Sequence, residues 1–268
     1  LAAQSIVSKS FSNPLETIET NILGSANILE CHRLNNIPCL VYITSDKCYL
    51  NLNKKKDYKE KDILGGLDNY SSSKASAEII FSSFFNSYFK KKTYLTMASA
   101  RAGNVIGGGD MKMNRILPDI IISLKNKRKL ILRNPNATRP WQHVLEPLSG
   151  YLILGDKLLN KKIKNNIAPN WNFGPRPKNC KTVRKITSLV FKYWGKKNVR
   201  FLKNKKDTYH ESKFLSLNIS IAKRELNWKP RLGLEETIKL TTDWYRNYYH
   251  NNKIENLTLE QIQYFLNK

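Results

Sequence analysis

The stretch that decides the fold is residues 39–47, which read CLVYITSDK. Its first six residues are mainly apolar or β-branched, and a short run of this kind is typical of a buried strand in a parallel sheet. The run ends at Ser45-Asp46-Lys47, called the 45–47 triplet below. Open α/β sheets bind their ligands at the carboxyl ends of such strands. The triplet is therefore a candidate site.

Helix and strand patterns alternate around this strand. Apolar residues recur at helical spacing over 14–35 before it and over 70–89 after it, and 93–100 is a second predicted strand. This alternation predicts an α/β fold with a doubly wound, Rossmann-type parallel sheet. After the Pro/Gly-rich stretch 172–177 the pattern becomes helix, strand, helix, ending in an aromatic helix near 242–249. We expect this part to form a smaller mixed α/β lobe. Further predicted elements are helices at 116–124 and 146–159 and a strand at 130–132.

The chain is strongly basic, with 46 Lys and Arg against 21 Asp and Glu and a formal net charge of +25. Such a charge favours binding to nucleic acid or to anionic membranes. The lysines are spread along the whole chain, however, without a recognised binding motif or interleaved aromatic residues. A basic nucleic-acid-binding module is therefore the weaker alternative, and we expect no specific nucleic acid as a partner.

Other composition features point to a folded, cytoplasmic protein. Hydrophobic residues make up 41% of the chain, which is near the average for globular proteins. No stretch approaches the ~20 apolar residues of a membrane span, and the first residues lack a signal-peptide pattern. The four cysteines and four histidines are dispersed without a C-x-x-C pair, which predicts reduced thiols and no metal site.

The sharpest local signal is Tyr70-Ser71-Ser72-Ser73-Lys74. Four residues apart on a helix, Tyr70 and Lys74 share one face, and the ammonium favours the phenolate form of the tyrosine. A phenolate so tuned can take a proton from a sugar hydroxyl. The pattern alone is weak, because most such pairs are surface contacts. The 45–47 triplet upstream strengthens it, since Asp46 and Lys47 provide an acid and a base. The competing interpretation is that Asp46 caps a loop and Lys47 is solvated.

Several blocks of this sequence resemble, in order and spacing, the CDP-glucose 4,6-dehydratases, which are extended short-chain dehydrogenase/reductases. The resemblance extends from Leu1 to at least Pro175. The triplet and the RPW sequence at 139–141 are specific, because dTDP-glucose relatives usually show T-D-E and R-D-W there. The matching blocks are LAAQ at 1–4, TSDKCY at 44–49, the Tyr70/Lys74 pair, RAGNVIGGGD at 101–110, RNP at 133–135, RPWQHV at 139–144 and EPLSGY at 146–151.

The resemblance implies an NAD-dependent loss of water from CDP-glucose that gives CDP-4-dehydro-6-deoxyglucose, a step in deoxysugar and O-antigen-type polysaccharide synthesis. Tyr70, supported by Lys74 and Ser45, would remove the proton of the C4 hydroxyl. Asp46 would protonate the departing C6 hydroxyl, and Lys47 would act near C5, where relatives carry a glutamate. The cofactor leaves the cycle unchanged, so the enzyme class is lyase.

The resemblance also assigns binding residues. Ala2 and Ala3, with Tyr70 and Lys74, would contact the cofactor. Asn104 and Arg139, and less strongly Arg115, would bind the substrate. For these last three residues the alternative is an ordinary surface hydrogen bond. A homodimer or higher homo-oligomer is expected through helices 15–34 and 69–89, and the competing interpretation is that these helices only pack on their own sheet.

The family begins with a strand and a glycine-rich turn that bind the NAD pyrophosphate, and these 268 residues contain no G-x-G-x-x-G sequence. We therefore expect the sheet to be incomplete, with about 80 residues of the first βαβαβ half absent.

Residues 1–130 would be the remaining C-terminal half of the NAD-binding domain with the catalytic residues. Residues 131–268 would be mainly a substrate lobe interleaved with it. The chain alone would then be an inactive dehydratase. Open alternatives are another nucleotide-sugar epimerase or dehydratase and an inert fragment.

Overall fold

The structure is a computed structural model that describes residues 2–196, 201–203, 214–250 and 253–268. The chain forms two compact units and passes between them repeatedly. Part of the predicted first range, 104–130, belongs to the second unit, and parts of the predicted second range belong to the first. The first unit is Leu1–Gly103, Leu148–Phe173 and Leu215–Lys229, and the second is Asn104–Pro147, Gly174–Phe214 and Pro230–Lys268.

The first unit is built on a parallel sheet of strands β1 (Leu40–Ile43), β2 (Met97–Ala102) and β7 (Asn170–Phe173), in the order β1-β2-β7. Strand β1 is the strand predicted from the apolar run 39–44. The second predicted strand, 93–100, is shifted: β2 begins at Met97 and extends to Ala102, because Arg101 and Ala102 still pair with Asn172 and Phe173 of β7. Strand β7 includes the first two residues of the Pro/Gly-rich stretch 172–177.

Helices cover both faces of this sheet, as a doubly wound arrangement requires. On one face, Tyr42 stacks on Phe81 of helix α4 (Asn69–Phe84) with ring centroids 5.5 Å apart. On the other face, Val41 lies 3.6 Å from the position that a Cβ atom on Gly155 of helix α6 (Leu145–Leu159) would take. Side chains alternate between the two faces along each strand. The buried core of this unit therefore lies on both sides of β2.

The remaining helices of the first unit depart slightly from the predicted pattern. The predicted helix 14–35 is helix α2 (Pro14–Ile18), a π-helical turn over Glu19–Leu23 and helix α3 (Gly24–Leu34). Proline at the first helical position fits this start, because its missing N–H would have no partner there. Helix α4 begins at the N-cap Asp68, whose side chain accepts from the backbone N–H of Ser71 at 2.9 Å. Helix α1 (Val7–Ser12), a π-helical turn over Phe85–Phe89 and helix α8 (Ser220–Leu226) complete this set.

The second unit combines short strand pairs with helices around a separate core. Its buried centre includes Ile120, Ile186 and Ile238 from three different helices. The final helix was not predicted, because the sequence pattern ended at the aromatic helix. Its helices are α5 (Ile116–Lys125), α7 (Val183–Trp194), α9 (Leu234–Tyr249) and α10 (Ile254–Leu266). Its strand pairs are β3 (Val105–Ile106) with β6 (Gln142–His143), β4 (Leu130–Leu132) with β9 (Phe201–Lys203), and β5 (Thr138–Pro140) with β8 (Cys180–Thr182).

Within the described part of the chain, no helix is both long enough and apolar enough to cross a membrane.

Candidate functional site

Tyr70 and Lys74 lie one turn apart near the start of α4, as their spacing predicts. The Lys74 ammonium nitrogen is 6.0 Å from the centroid of the Tyr70 ring, and both side chains are buried. Burial lowers the pKa of Lys74, while Cys48 and the Glu78 carboxylate oppose that effect. A buried cation next to a phenol stabilises the phenolate, because little water screens the attraction.

The 45–47 triplet follows β1 and forms the start of a helical turn over Asp46–Cys48 that packs against α4. The Ser45 hydroxyl caps this turn: it accepts from the backbone N–H of Lys47 at 3.2 Å and donates to the Asp46 carboxylate at 3.1 Å. Asp46 is buried, with 3% of its surface exposed, whereas Lys47 is half-buried. The structure thus brings the triplet and the α4 pair together at the carboxyl end of the sheet.

Ala2 and Ala3 directly precede Gln4, which a set of hydrogen bonds through Asn21 connects to α4. This set is called the anchor below. The backbone N–H of Gln4 donates to the Asn21 side-chain oxygen at 2.9 Å, and the Gln4 amide donates to Thr17 at 2.8 Å. The Asn21 amide donates to the Ser73 hydroxyl at 2.9 Å, which in turn donates to the Tyr70 carbonyl at 2.8 Å. Buried polar groups of this kind need such partners. The anchor fixes the chain after Ala3 relative to the turn of α4 that carries Tyr70.

The three residues predicted to bind substrate all lie in the second unit. The Asn104 carbonyl accepts from the backbone N–H of Gln142 at 3.1 Å. Arg115 is the N-cap of α5 and forms a half-exposed ion pair with Asp110 at 2.9 Å. Arg139 is buried on β5 and donates to the Thr138 carbonyl at 2.9 Å.

Two buried charges near the site, Glu78 and Arg101, were missed as site residues in the sequence analysis. Their ion pair measures 2.6 Å, with side-chain exposures of 0% and 3%. The overlooked signal for Glu78 is its spacing, because it continues the four-residue interval of Tyr70 and Lys74 along α4. For Arg101 the signal is the alternation MASARA at 97–102, which places Ser99 and Arg101 on the same face of a buried strand.

Comparison with known proteins supports a common family. A family model described as GDP-mannose 4,6 dehydratase matches residues 1–241. The CDP-glucose 4,6-dehydratase of Salmonella typhimurium is 42% identical to the chain over 92% of the chain and 69% of the Salmonella protein. The UDP-glucuronate 4-epimerase 4 of Arabidopsis thaliana is 28% identical over 94% of the chain, which spans 58% of that epimerase.

Solved structures confirm the Rossmann-type α/β fold. The dTDP-glucose 4,6-dehydratase DesIV from Streptomyces venezuelae, crystallised with NAD and TYD bound, superposes with a TM-score of 0.81 at 20% identity, covering 94% of this chain and 74% of DesIV. The UDP-glucose 4-epimerase of Thermotoga maritima, with UDP-glucose, gives a TM-score of 0.79 at 22% identity, covering 93% and 76%. At these identities the likeness concerns the fold. The match to the family model, together with the Salmonella relative, shows that the chain belongs to the GDP-mannose 4,6 dehydratase family.

Proposed function

We propose that this chain carries the catalytic residues of an NAD-dependent CDP-glucose 4,6-dehydratase, a lyase. The observation that carries the proposal is the packing of the turn holding Asp46 and Lys47 against the helix that holds the buried Tyr70/Lys74 pair. The choice of CDP-glucose follows from the 42% identical Salmonella enzyme. An epimerase uses the Tyr/Lys pair but eliminates no water, so a buried acid beside the pair favours the dehydratase.

The first step needs a base at the C4 hydroxyl of the sugar. Tyr70 takes that proton on its phenolate oxygen, and Lys74 stabilises the phenolate through its charge. Ser45, at the carboxyl end of β1, supports Tyr70. Loss of the hydroxyl proton to Tyr70, together with loss of the C4 hydrogen as hydride to bound NAD, would leave a ketone at C4. This ketone in turn would acidify the proton at C5.

The cofactor site fits NAD at its nicotinamide end. Tyr70 and Lys74 place polar groups at the carboxyl edge of a parallel sheet, where such folds bind dinucleotides. Ala2 and Ala3 directly precede Gln4, which Asn21 connects to the turn of α4 that carries Tyr70. Bound there, NAD would supply a hydride acceptor for C4 and a hydride donor for C6. Since these 268 residues contain no G-x-G-x-x-G sequence, we propose that they alone bind NAD weakly and do not turn over.

The elimination step uses the triplet. Asp46 donates a proton to the departing C6 hydroxyl, which leaves as water, while Lys47 takes the proton from C5. Lys47 is half-buried, in the turn that packs against α4. We also propose that Asn104, Arg115 and Arg139 bind the CDP-sugar. The guanidinium groups of the two arginines match the geometry of a diphosphate, and the Asn104 amide can form hydrogen bonds with sugar hydroxyls.

We further propose that the chain forms a homodimer through helices 15–34 and 69–89. Large apolar side chains on these helices are exposed, including Leu15 at 71%, Leu23 at 57% and Ile79 at 55%. Exposed apolar patches commonly mark protein interfaces. Ultracentrifugation of Leu15→Lys/Ile79→Lys should show a monomer. Leu52→Lys, which replaces an equally exposed leucine outside these helices, should leave the dimer intact.

The catalytic proposal is tested with the full gene product that carries these residues. Incubation with CDP-glucose and NAD should give a sugar with a C6 methyl group and no C4 proton, both visible by NMR. Tyr70→Phe is the matched inactive variant. A C4 epimer that keeps its C6 hydroxyl would instead indicate an epimerase, and turnover of dTDP- or UDP-glucose alone would overturn the choice of nucleotide.

The weak NAD binding proposed for the 268-residue chain alone can be measured separately. Titration calorimetry of the 268-residue chain with NAD should show only weak binding. Micromolar affinity in that titration would contradict it.

A further inference from the structure

The ion pair between Glu78 and Arg101 is buried in the first unit and is unusually well connected. Besides their mutual contact of 2.6 Å, Glu78 accepts from the Ser99 hydroxyl at 3.0 Å and from the Asn170 amide at 3.4 Å. Burying two charges is unfavourable unless many hydrogen bonds surround them, and such a pair often adds little net stability. Stabilisation of the fold alone therefore does not explain why this ion pair is present.

One end of the catalytic segment is attached to Glu78. The hydroxyl of Thr44, the residue directly before the triplet, donates to the Glu78 carboxylate. The Thr44 backbone N–H also donates to the Ala100 carbonyl at 2.9 Å, which continues the β1-β2 ladder. Glu78 thus connects the last residue before Ser45 directly to α4.

The other end of the segment is attached to Arg101. Tyr49 directly follows the turn Asp46–Cys48, and its hydroxyl accepts from the Arg101 guanidinium at 2.9 Å. The same hydroxyl donates to the Asn172 side chain at 2.7 Å, and the same guanidinium nitrogen donates to the Glu60 carbonyl at 2.8 Å. Tyr49 is buried, with 1% exposed, so these bonds are shielded from water.

We infer that the Glu78–Arg101 ion pair positions the catalytic segment, holding residues 44–49 by both ends against the helix that carries Tyr70 and Lys74. Glu78 is one helical turn beyond Lys74 and two beyond Tyr70, so it fixes both halves of the site to one rigid element. Loss of the pair lets Asp46 and Lys47 move relative to Tyr70. Both charges are buried, so we assign Glu78 and Arg101 as positioning residues. The consequences for catalysis rest on the proposed function; the structural role of the pair does not.

The structural role is tested by hydrogen exchange in the full gene product without substrate. Glu78→Gln keeps the shape but removes the charge, and Arg101→Lys keeps the charge but loses the fork that reaches Tyr49. Amides of residues 44–50 should exchange about tenfold faster or more in both variants, because a hydrogen bond to a charged group is lost, while β2 keeps its protection. Asp156→Asn removes an exposed ion pair of the same unit and should leave residues 44–50 unchanged.

The catalytic consequence is tested by single turnover. Both variants should still oxidise C4, which is seen as the absorbance of reduced nicotinamide. They should release water about tenfold more slowly or worse. Their KM, taken from steady-state rates, should be nearly unchanged. The double variant Glu78→Gln/Arg101→Met, which buries no charge, guards against simple unfolding: it should be folded and show the same slow elimination.

Unchanged exchange at residues 44–50 in a folded variant would overturn the inference. So would a uniform loss of protection across the first unit, or oxidation and elimination slowed equally. If the unmodified protein makes no 6-deoxy sugar, the proposed function fails, while the exchange result still decides the role of the ion pair.

Discussion

Gly150 lies so close to Phe173 that a Cβ atom on it would sit 2.3 Å from the aromatic ring. Phe173 in turn packs edge-on against Tyr151 and Trp228, with centroids 5.4 and 5.1 Å apart. The Trp228 indole N–H donates to Ser149 at 3.0 Å. This contact fixes the first turns of α6 on the face of the sheet opposite α4.

Substitution of Gly150 should therefore be costly. Gly150→Ala is expected to lower the free energy of unfolding by about 1 to 3 kcal/mol through overpacking, measured by urea denaturation. The matched control is Gly155→Ala on the same helix, where the nearest atom would be at 3.6 Å. It should stabilise by up to about 1 kcal/mol, because alanine favours helix. Equal effects of the two substitutions would contradict the assigned contact.

Removing the phenol hydroxyl of Tyr70 should slow the first chemical step strongly. Tyr70→Phe is expected to lower kcat by roughly 10²- to 10⁴-fold, the usual contribution of a general base, with the unfolding midpoint little changed. The measurement is the rate of 4-keto sugar formation. Tyr264→Phe, which changes an exposed tyrosine, serves as the control. A Tyr70→Phe enzyme with near-normal kcat would exclude Tyr70 as the base.

Asp46 should act after C4 oxidation. Asp46→Asn keeps the shape and the oxygen that accepts from Ser45 but removes the acid, so the C6 hydroxyl should leave about 10²-fold more slowly or worse. Reduced nicotinamide should then persist in a stopped-flow trace. Asp57→Asn, in an exposed loop position, should behave as wild type. A trace without reduced nicotinamide in Asp46→Asn would instead place Asp46 before oxidation.

His143 should make the protein less stable in mild acid. Burial lowers the pKa of His143 from 6.5 to about 4. Above pH 6.5 the histidine is neutral in both folded and unfolded chains and has no effect. As the pH falls from 6.5 towards 4, only the unfolded chain takes up the proton, so stability is lost, by up to about 3 kcal/mol at about 1.4 kcal/mol per pKa unit.

The measurement is denaturation of wild type and His143→Gln at several pH values. The variant should lose less stability over this range, although buried His32, whose pKa burial also lowers, contributes to both proteins. His250→Gln, at an exposed position, should follow wild type. Parallel pH curves for wild type and His143→Gln would show that His143 is not protonated on unfolding.

Much of the first unit follows from local sequence patterns. The apolar run before the triplet predicts β1, and four-residue spacing places Tyr70 and Lys74 on one face of α4, because both features depend only on the period of the backbone. Boundaries were less accurate: β2 extends to Ala102, and the helix over 14–35 contains a π-helical turn. Helix α10 was missed, because the aromatic helix near 242–249 was predicted to be the last element of the chain.

The sequence by itself determined the α/β class, and it singled out the Tyr70/Lys74 pair and the triplet as candidates, because each is a local pattern of residue types. Only the tertiary structure decided what surrounds them. Glu78 and Arg101 are 23 residues apart in sequence, and Tyr49 and Asn172 are 123 apart. Such pairings depend on which strands lie side by side and on which face each side chain projects. The order β1-β2-β7 brings these residues together, so the support of the 45–47 triplet became visible only in the folded chain.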